Sequence, residues 1–368
     1  MRILHIAPEN VAGVPGTFAR TEQQMGHESR LVTLSPDRRG YPEDHCLQLP
    51  LFNAGIVRWC KQLVSDPRRL QVSHQPPPPE SRPPVWRPGS FLETALITLR
   101  DSLWNRTVQR ALPELQLDTW DIIQLDGGLG LLRDGRYVRA LKAQGKKFII
   151  TYLGSDLRTR GIVPHIDSLA DLRVTVEFDL RDYYPGILYI PTPFDALTVP
   201  RVEQPSTERL RIGHAPSVRA AKGSDQILAV LHKLAAELPI EMELIEGVSH
   251  SEALQRKGRC HIFIDQIGVL GYGVNALESL AMGIPVCTCL APGFSEYCPD
   301  HPFIEVTETT LEARLRELIA DESLRHAKAA EGALWVRKFH DPQRGIQTMH
   351  KKLVERTNMD PEANTCQT

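Results

Sequence analysis

The stretch "GYGVNALESLAMGIPV", residues 271–286, decides how this chain is read. Two glycines lead into a run with apolar residues at helical spacing. A glycine ends the run, and "IPVCTCL" follows as a buried strand. One carboxylate, Glu278, stands inside the run. Asn275 and Glu278 have the N-cap to N3 spacing of a capping box, with Asn in place of Ser or Thr. "GYGVNA" also fits G-x-G-x-x-A, the dinucleotide fingerprint. That fingerprint belongs in the first strand–helix turn of a domain and needs an acid ~20 residues on for the ribose. Neither condition holds, so a nicotinamide-dependent oxidoreductase is set aside.

Working outward, strands and helices alternate. "RLRIGHAP", "IEMELIEG" and "CHIFID" precede the stretch as strands. "SDQILAVLHKLAAEL" and "SHSEALQRKG" lie between them as helices. Three helical runs from about Leu311, Ser323 and Pro342 close the series. An earlier series contains "RILHIA", "MGHESRLVTL", "WDIIQLDGG", "KKFIITYLGSD", "LRVTVEF" and "GILYIPTP", with a helix expected over Leu131–Ala143. Alternation of this kind predicts parallel sheets covered on both faces. The fold class is therefore α/β, two doubly wound Rossmann-like domains facing across a cleft. The expected limits are residues 1–195, a proline-marked linker over 196–208, a second domain over 209–340, a helix over 341–358 returning to the first domain, and a disordered tail over 359–368. Residues 66–90 interrupt the first domain with "QPPPPESRPPVWRPGS", an extended loop. Ser90 and Glu93 then form a capping box for an amphipathic helix carrying Phe91, Leu92, Ala95, Leu96, Leu99, Leu103 and Trp104. That apolar face serves either the core or a lipid-linked or polymeric acceptor.

The bulk properties exclude several classes. With 43 Lys and Arg against 45 Asp and Glu, the formal net charge is −2 over 368 residues, which gives no general grip on nucleic acid. The 7 cysteines have no metal-ligand spacing; Cys287 and Cys289 share a strand face as packing residues. An odd count without pattern fits a reducing compartment. The N-terminus reads as a strand rather than a signal peptide, and no run reaches ~18 apolar residues. A cytoplasmic protein is expected.

Ligands of doubly wound sheets bind beyond the carboxyl ends of the strands, so the loops there hold the candidates. Gly13 and Gly16 follow the first strand, where backbone N–H groups can approach an anion, or form a plain tight turn. Asp156, with Arg158 and Arg160, follows "KKFIITY" and suits hydroxyls or phosphate; Asp156 is equally an N-cap. Arg219 and Lys222 precede a helix that Ser224 or Asp225 would cap, and two cations at a helix start suit a diphosphate. Gly247 and Val248 offer backbone groups and an apolar surface to a nucleobase. His250, next to them, reads as an ordinary exposed histidine.

"AGVPG" with "MGHESRLVTL", "GSDLR", "IPTPFD", "KGSDQIL" and "GYGVNALESLAMGIPV" carry a resemblance. From about residue 1 to 355, the Pro-rich insert apart, the chain resembles the family-four retaining glycosyltransferases of the GT-B fold. The resemblance implies transfer of a sugar from a nucleotide-sugar donor, with retention and without a metal or other cofactor. It implies a diphosphate held near Gly271, Tyr272, Gly273 and Val274 with Arg219 and Lys222, and a donor ribose held by Glu278. It further implies Gly13 and Gly16 bordering the donor phosphates and Asp156 placing sugar or acceptor. The acceptor would be a carbohydrate or glycolipid of polysaccharide biosynthesis, with peripheral membrane contact. The chain departs from the family pattern where a second glutamate stands eight residues before Glu278: this position is Leu270, with Asp265 the nearest acid before it. Leu153 replaces a histidine before "GSD", and Ser217 an arginine five residues before Lys222, with Arg219 two residues later. These departures leave a catalytically impaired nucleotide-sugar-binding or scaffold protein as the alternative. A sugar-nucleotide epimerase is a more distant one, since it needs more carboxylates.

Overall fold

A computed structural model describes residues 1–50, 76–202, 208–268 and 270–358. Residues 66–75 of the expected insert, 203–207 of the expected linker with Pro205, and the 359–368 tail lie outside the described residues. The chain divides into two compact units, one of residues 1–193 with 342 onward, the other Phe194–Asp341.

The first unit is built on a sheet in the order β3-β2-β1-β4-β5-β6-β7. Its strands are β1 Arg2–Ala7, β2 Glu28–Thr33, β3 His45–Cys46, β4 Ile122–Asp126, β5 Lys147–Tyr152, β6 Leu172–Thr175 and β7 Leu188–Tyr189. Every pairing is parallel; Ile3 faces Ser29 on one side and Ile122 on the other. Central strands of a sheet covered on both faces need unbroken apolar runs. Ile3, Leu4, Ile123, Leu125, Ile149 and Ile150 supply them, each with no more than 1% of its surface exposed. The last helix, Pro342–Asn358, packs on helix Val14–Gln24 of this unit. The order of its first six strands is that of the dinucleotide-binding fold, and the direction of the winding reverses between β1 and β4.

The second unit has the order β12-β11-β10-β8-β9, with β8 Leu210–His214, β9 Ile240–Leu244, β10 Ile262–Gln266, β11 Val286–Thr288 and β12 Ile304–Glu305. It is also all parallel, in the flavodoxin-like arrangement, with its reversal between β8 and β10. Ile212, Ile227, Leu231, Leu234, Ile262 and Ile264 form its core with Leu311 and Leu315. The helix Val274–Met282 is buried from Ala276 to Met282. It lies close against helix Glu322–Phe339, because Gly332 leaves room for Leu280: a Cβ on Gly332 would stand 2.6 Å from Leu280 Cδ2.

Local readings of the sequence need four corrections. The helix expected over Leu131–Ala143 begins only at Arg136, after a glycine-rich loop that ends at Gly135 with φ 71°. Asn275 and Glu278 form no capping box: Gly273 is the N-cap, and both side chains turn inward. Neither Ser224 nor Asp225 caps the Ser224–Glu237 helix, whose N-cap is Gly223 in the left-handed region. Helix Phe91–Leu115 starts at Ser90 as expected, Ser90 Oγ accepting from Glu93 N at 3.1 Å. Its first turns do not serve the core, however: Phe91, Leu92, Leu96, Leu99 and Leu103 are exposed, and apolar burial begins at Trp104 and Val108.

Candidate active site

The second unit gathers charged groups at the carboxyl ends of β8 and β10, on either side of its reversal point. His214 ends β8 and is buried. Its Nδ1 lies 2.8 Å from the Ile264 carbonyl and its Nε2 2.8 Å from Ser224 Oγ. Burial holds the imidazole below its ordinary pKa, so the neutral ring donates to the carbonyl and accepts from the hydroxyl. This joins two strands to the start of the next helix, and explains why Ser224 is not a cap.

Asp265, fully buried near the end of β10, accepts from Lys222 Nζ at 2.9 Å and from the backbone N–H of Gly273 at 2.9 Å. It thereby ties the short helix Arg219–Lys222 to the glycine turn of residues 271–273. A Cβ on Gly273 would stand 3.4 Å from Lys222 Nζ, so glycine there lets the ammonium approach the turn. Gly271 has φ 79° and lies against Ala291. Val274 is the first helical residue, at the end where helix N–H groups lack intrahelical partners. The Tyr272 ring leaves the turn for an aromatic cluster, 4.6 Å from Phe303 and 5.1 Å from Phe294 between centroids, with its hydroxyl 3.2 Å from His340 Nε2. Next to Asp265, the buried amide of Gln266 has no hydrogen-bond partner among the described residues.

Glu278 is 2% exposed. Lys257, itself fully buried, donates to Glu278 Oε2 and, at 2.5 Å, to Asn275 Oδ1; His250 Nε2 donates to Oε1 at 2.7 Å. Asn275 Nδ2 in turn donates to the Ala215 carbonyl at 2.7 Å. Burial raises the carboxyl pKa of Glu278, but the Lys257 charge and the His250 hydrogen bond outweigh it and hold the pKa below the ordinary value. His250 is thus not the ordinary exposed histidine that its position suggests. Lys257 escaped sequence reading although a signal exists: it falls four residues after Ala253 and three after Leu254, on the apolar side of its helix.

The remaining candidates separate. Arg219 makes a two-pronged ion pair with Glu246, 2.8 and 2.5 Å, at the surface. Gly247, with φ 66°, and Val248 lie just beyond β9, with open space where a Cβ on Gly247 would stand. In the first unit, Gly13 N donates to the Asn10 carbonyl and Gly16 N to Asn10 Oδ1, at 3.1 and 3.0 Å. Both amides are therefore already engaged. Asp156 accepts from Leu153 N, Gly154 N and Leu157 N, each at 2.8 Å, so its carboxylate holds its own loop. Arg158 is locked between Asp179 and Glu177. Among the described residues, no group of three His, Cys, Asp or Glu side chains is placed to hold a metal ion, and no helix is long and apolar enough to cross a membrane.

No protein-family model matches the chain, and no curated protein matches its sequence. Solved structures do match in shape. Sucrose-phosphate synthase from Thermosynechococcus elongatus superposes with a TM-score of 0.62 at 10% identity, over 97% of this chain and 100% of that one. HepE from Anabaena, solved in complex with UDP, gives 0.57 at 12%, over 96% and 100%. A Listeria monocytogenes protein assigned as a UDP-N-acetylglucosamine 2-epimerase gives 0.57 at 9%, over 97% and 96%. With its two parallel-sheet units, this chain has the GT-B fold. A fold shared by transferases and an epimerase does not choose the reaction; the site must.

Proposed function

We propose that the chain is a glycosyltransferase that moves a sugar from a nucleotide-sugar donor to an acceptor, with retention at the anomeric carbon and without a bound metal. The observation that carries this reading is the Lys222–Asp265–Gly273 constellation at the reversal point of the second sheet. An ammonium has three protons; Asp265 takes one, and the others remain for a departing diphosphate beside the helix start at Val274. Well-placed donors that meet charge developing in a transition state are worth ~3–4 kcal/mol each. Arg219 can leave Glu246 at little cost, since exposed ion pairs contribute little. Gly247 and Val248 border the base. Glu278 serves the ribose through Oε1 when His250 turns outward, while Lys257 stays in place. That UDP is bound by HepE supports a nucleotide donor.

The scarcity of free carboxylates in this group disfavours epimerisation, which needs acid and base beside the sugar. For the acceptor, a carbohydrate or glycolipid reached from the cytoplasmic side fits the exposed apolar turns of helix Phe91–Leu115, which would rest on a membrane surface.

The reading is tested by incubating UDP-, GDP- and ADP-sugars with acceptor mixtures, following nucleotide release and the anomeric proton by NMR. Release with the donor's configuration retained is expected, with a rate ~10²–10³-fold lower in Lys222→Gln. An inverted product removes the retaining assignment. Nucleotide binding without release returns the chain to a donor-binding scaffold.

A further inference from the structure

Among the described residues, the first unit contains cations that lack anions. The loop after β4 runs from Gly127 to Gly135 and carries Arg133; the turn after β5 carries Arg160. These are the carboxyl ends of two adjacent strands, next to the β1/β4 reversal where such sheets take ligands. Arg133 lies with Cζ 4.7 Å from the Trp86 ring centroid, and its Nε is enclosed with no hydrogen-bond partner among the described residues. Trp86 belongs to the described end of the Pro-rich segment. That end is fixed at this spot by Trp86 N donating to the Ile162 carbonyl at 2.8 Å and Ile162 N donating to the Pro84 carbonyl at 2.8 Å. Arg160 donates to two backbone carbonyls, Gly127 at 2.6 Å and Gly161 at 3.1 Å, which orient the guanidinium without neutralising it. Its Nη2 lies 3.2 Å from where a Cβ on Gly128 would stand.

The acids nearby are spent. Asp101 is held by Arg100 at 2.5 Å and by the backbone N–H of Arg133 at 3.0 Å. Asp156 accepts three backbone N–H groups, Asp167 is taken by Tyr152, Tyr184 and Arg173, and Glu93 accepts from Gly89 N. Among the described residues, neither Arg133 nor Arg160 has a carboxylate at ion-pair distance. Burial, followed by the charges of Arg100 and Arg160, pushes the Arg133 guanidinium down to about 9. Both guanidiniums are half-buried; charges drawn partly out of water are ordinarily paired, and a guanidinium fork fits the two oxygens of a carboxylate or phosphate.

We infer that Arg133 and Arg160 form an oxyanion site, and that the acceptor carries a carboxylate or phosphate group which this site receives. That the bound molecule is an acceptor rests on the glycosyltransferase reading; the anion site does not. The first unit then contributes substrate selection: a neutral acceptor would leave both arginines uncompensated.

The experiment titrates the full chain at low ionic strength with inorganic phosphate and, separately, with glucuronate, by calorimetry and by the shift in unfolding temperature. Binding of at least one is expected, together with thermal stabilisation. Arg133→Met should weaken it by ~10-fold or more, as for a lost charge-assisted hydrogen bond, and Arg133→Lys should restore part of it. Arg139→Gln, which removes an exposed charge from the same unit, should leave it unchanged. A preference for phosphate points to a phosphorylated acceptor, and one for glucuronate to an acidic sugar. Failure of both anions to bind, or an equal loss in Arg139→Gln, overturns the site. Arg133→Met leaves no acid unpaired, so it folds. UDP binding measured on the same variant should be unchanged; a wild-type chain that binds phosphate but no nucleotide would remove the donor reading and leave the oxyanion site standing.

Discussion

Arg158 apart, which Asp179 and Glu177 hold, the two units place cations at the carboxyl ends of their strands in opposite ways. In the second unit each cation has an acid: Lys222 has Asp265, Arg219 has Glu246, and Lys257 has Glu278. In the first, Arg133 and Arg160 have, among the described residues, an indole face and backbone carbonyls only. A paired cation is oriented before a ligand arrives but must share its charge with its partner. An unpaired one keeps its full charge for the ligand and stresses the fold until a ligand comes. The paired arrangement of the second unit suits a strongly anionic group such as a diphosphate; the unpaired one of the first suits a weaker anion that needs the whole charge.

The largest effect should come from the buried pair of the second unit. Lys257→Met leaves Glu278 buried without its countercharge and should cost ~3–5 kcal/mol in unfolding free energy, read by denaturant titration. Lys257→Met with Glu278→Leu should recover most of that loss, since an apolar pair of similar volume replaces a buried ion pair at little cost. If the single variant is no less stable than wild type, the pair is not the buried element described. The same physics makes Glu278→Ala a poor probe of ribose binding, because it strands Lys257.

The first unit also has a buried network, and it should give a pH signature. His5 is enclosed between Glu22 at 2.8 Å and Asp126 at 3.0 Å, and His350 of the last helix reaches Glu22 at 3.0 Å. Burial alone would lower the His5 pKa; Glu22 and Asp126 overcome it and raise it from 6.5 to about 10. Burial would raise that of Glu22; His5 and His350 bring it from 4.5 down to about 2. A raised histidine contributes stability that is complete below 6.5 and lost as pH climbs through about 10. A depressed carboxylate contributes stability that is complete above 4.5 and lost as pH falls through about 2. Stability from this network should therefore be greatest between about 4.5 and 6.5 and fall on both sides. His5→Gln should flatten the alkaline loss, and an unchanged alkaline limb would contradict the pairing.

Smaller effects follow at the edges. Ser90→Ala should remove the N-cap of helix Phe91–Leu115 and destabilise its exposed first turns by ~1 kcal/mol, seen as faster amide exchange there and nowhere else. Arg219→Gln should leave the unfolding temperature unmoved, because its partner is at the surface, and should weaken nucleotide binding less than a change at Lys222.

Most of the fold was legible because buried parallel strands must be continuous apolar runs; "RILHIA", "CHIFID" and "KKFIITY" admit few other readings. β3, two residues long, gave no run to read. The helix start at Arg136 was misplaced because Leu131 and Leu132 are apolar for the sake of the core and not of a helix. At the candidate site, the position of Lys222 and of the glycine turn just after strands was readable. The partners were not: Lys257 meets Glu278 from 21 residues away, Asp265 meets Lys222 from 43, and Arg133 and Arg160 are neighbours only through adjacent strand ends. Asn275 and Ser224 looked like caps because short polar side chains at helix starts usually are; here a buried lysine and a buried histidine claim them instead.

On the proposed function, Lys222 and the glycine turn hold a nucleotide diphosphate. Calorimetric titration of the full chain with UDP, GDP and ADP, without added metal, tests it most directly when run beside Lys222→Gln. One nucleotide should bind the wild-type chain, and the variant, whose unfolding temperature should fall because buried Asp265 loses its countercharge, should bind it ~10–100-fold more weakly at a temperature where it remains folded. No binding of any nucleotide, or equal binding by the variant, would contradict the account.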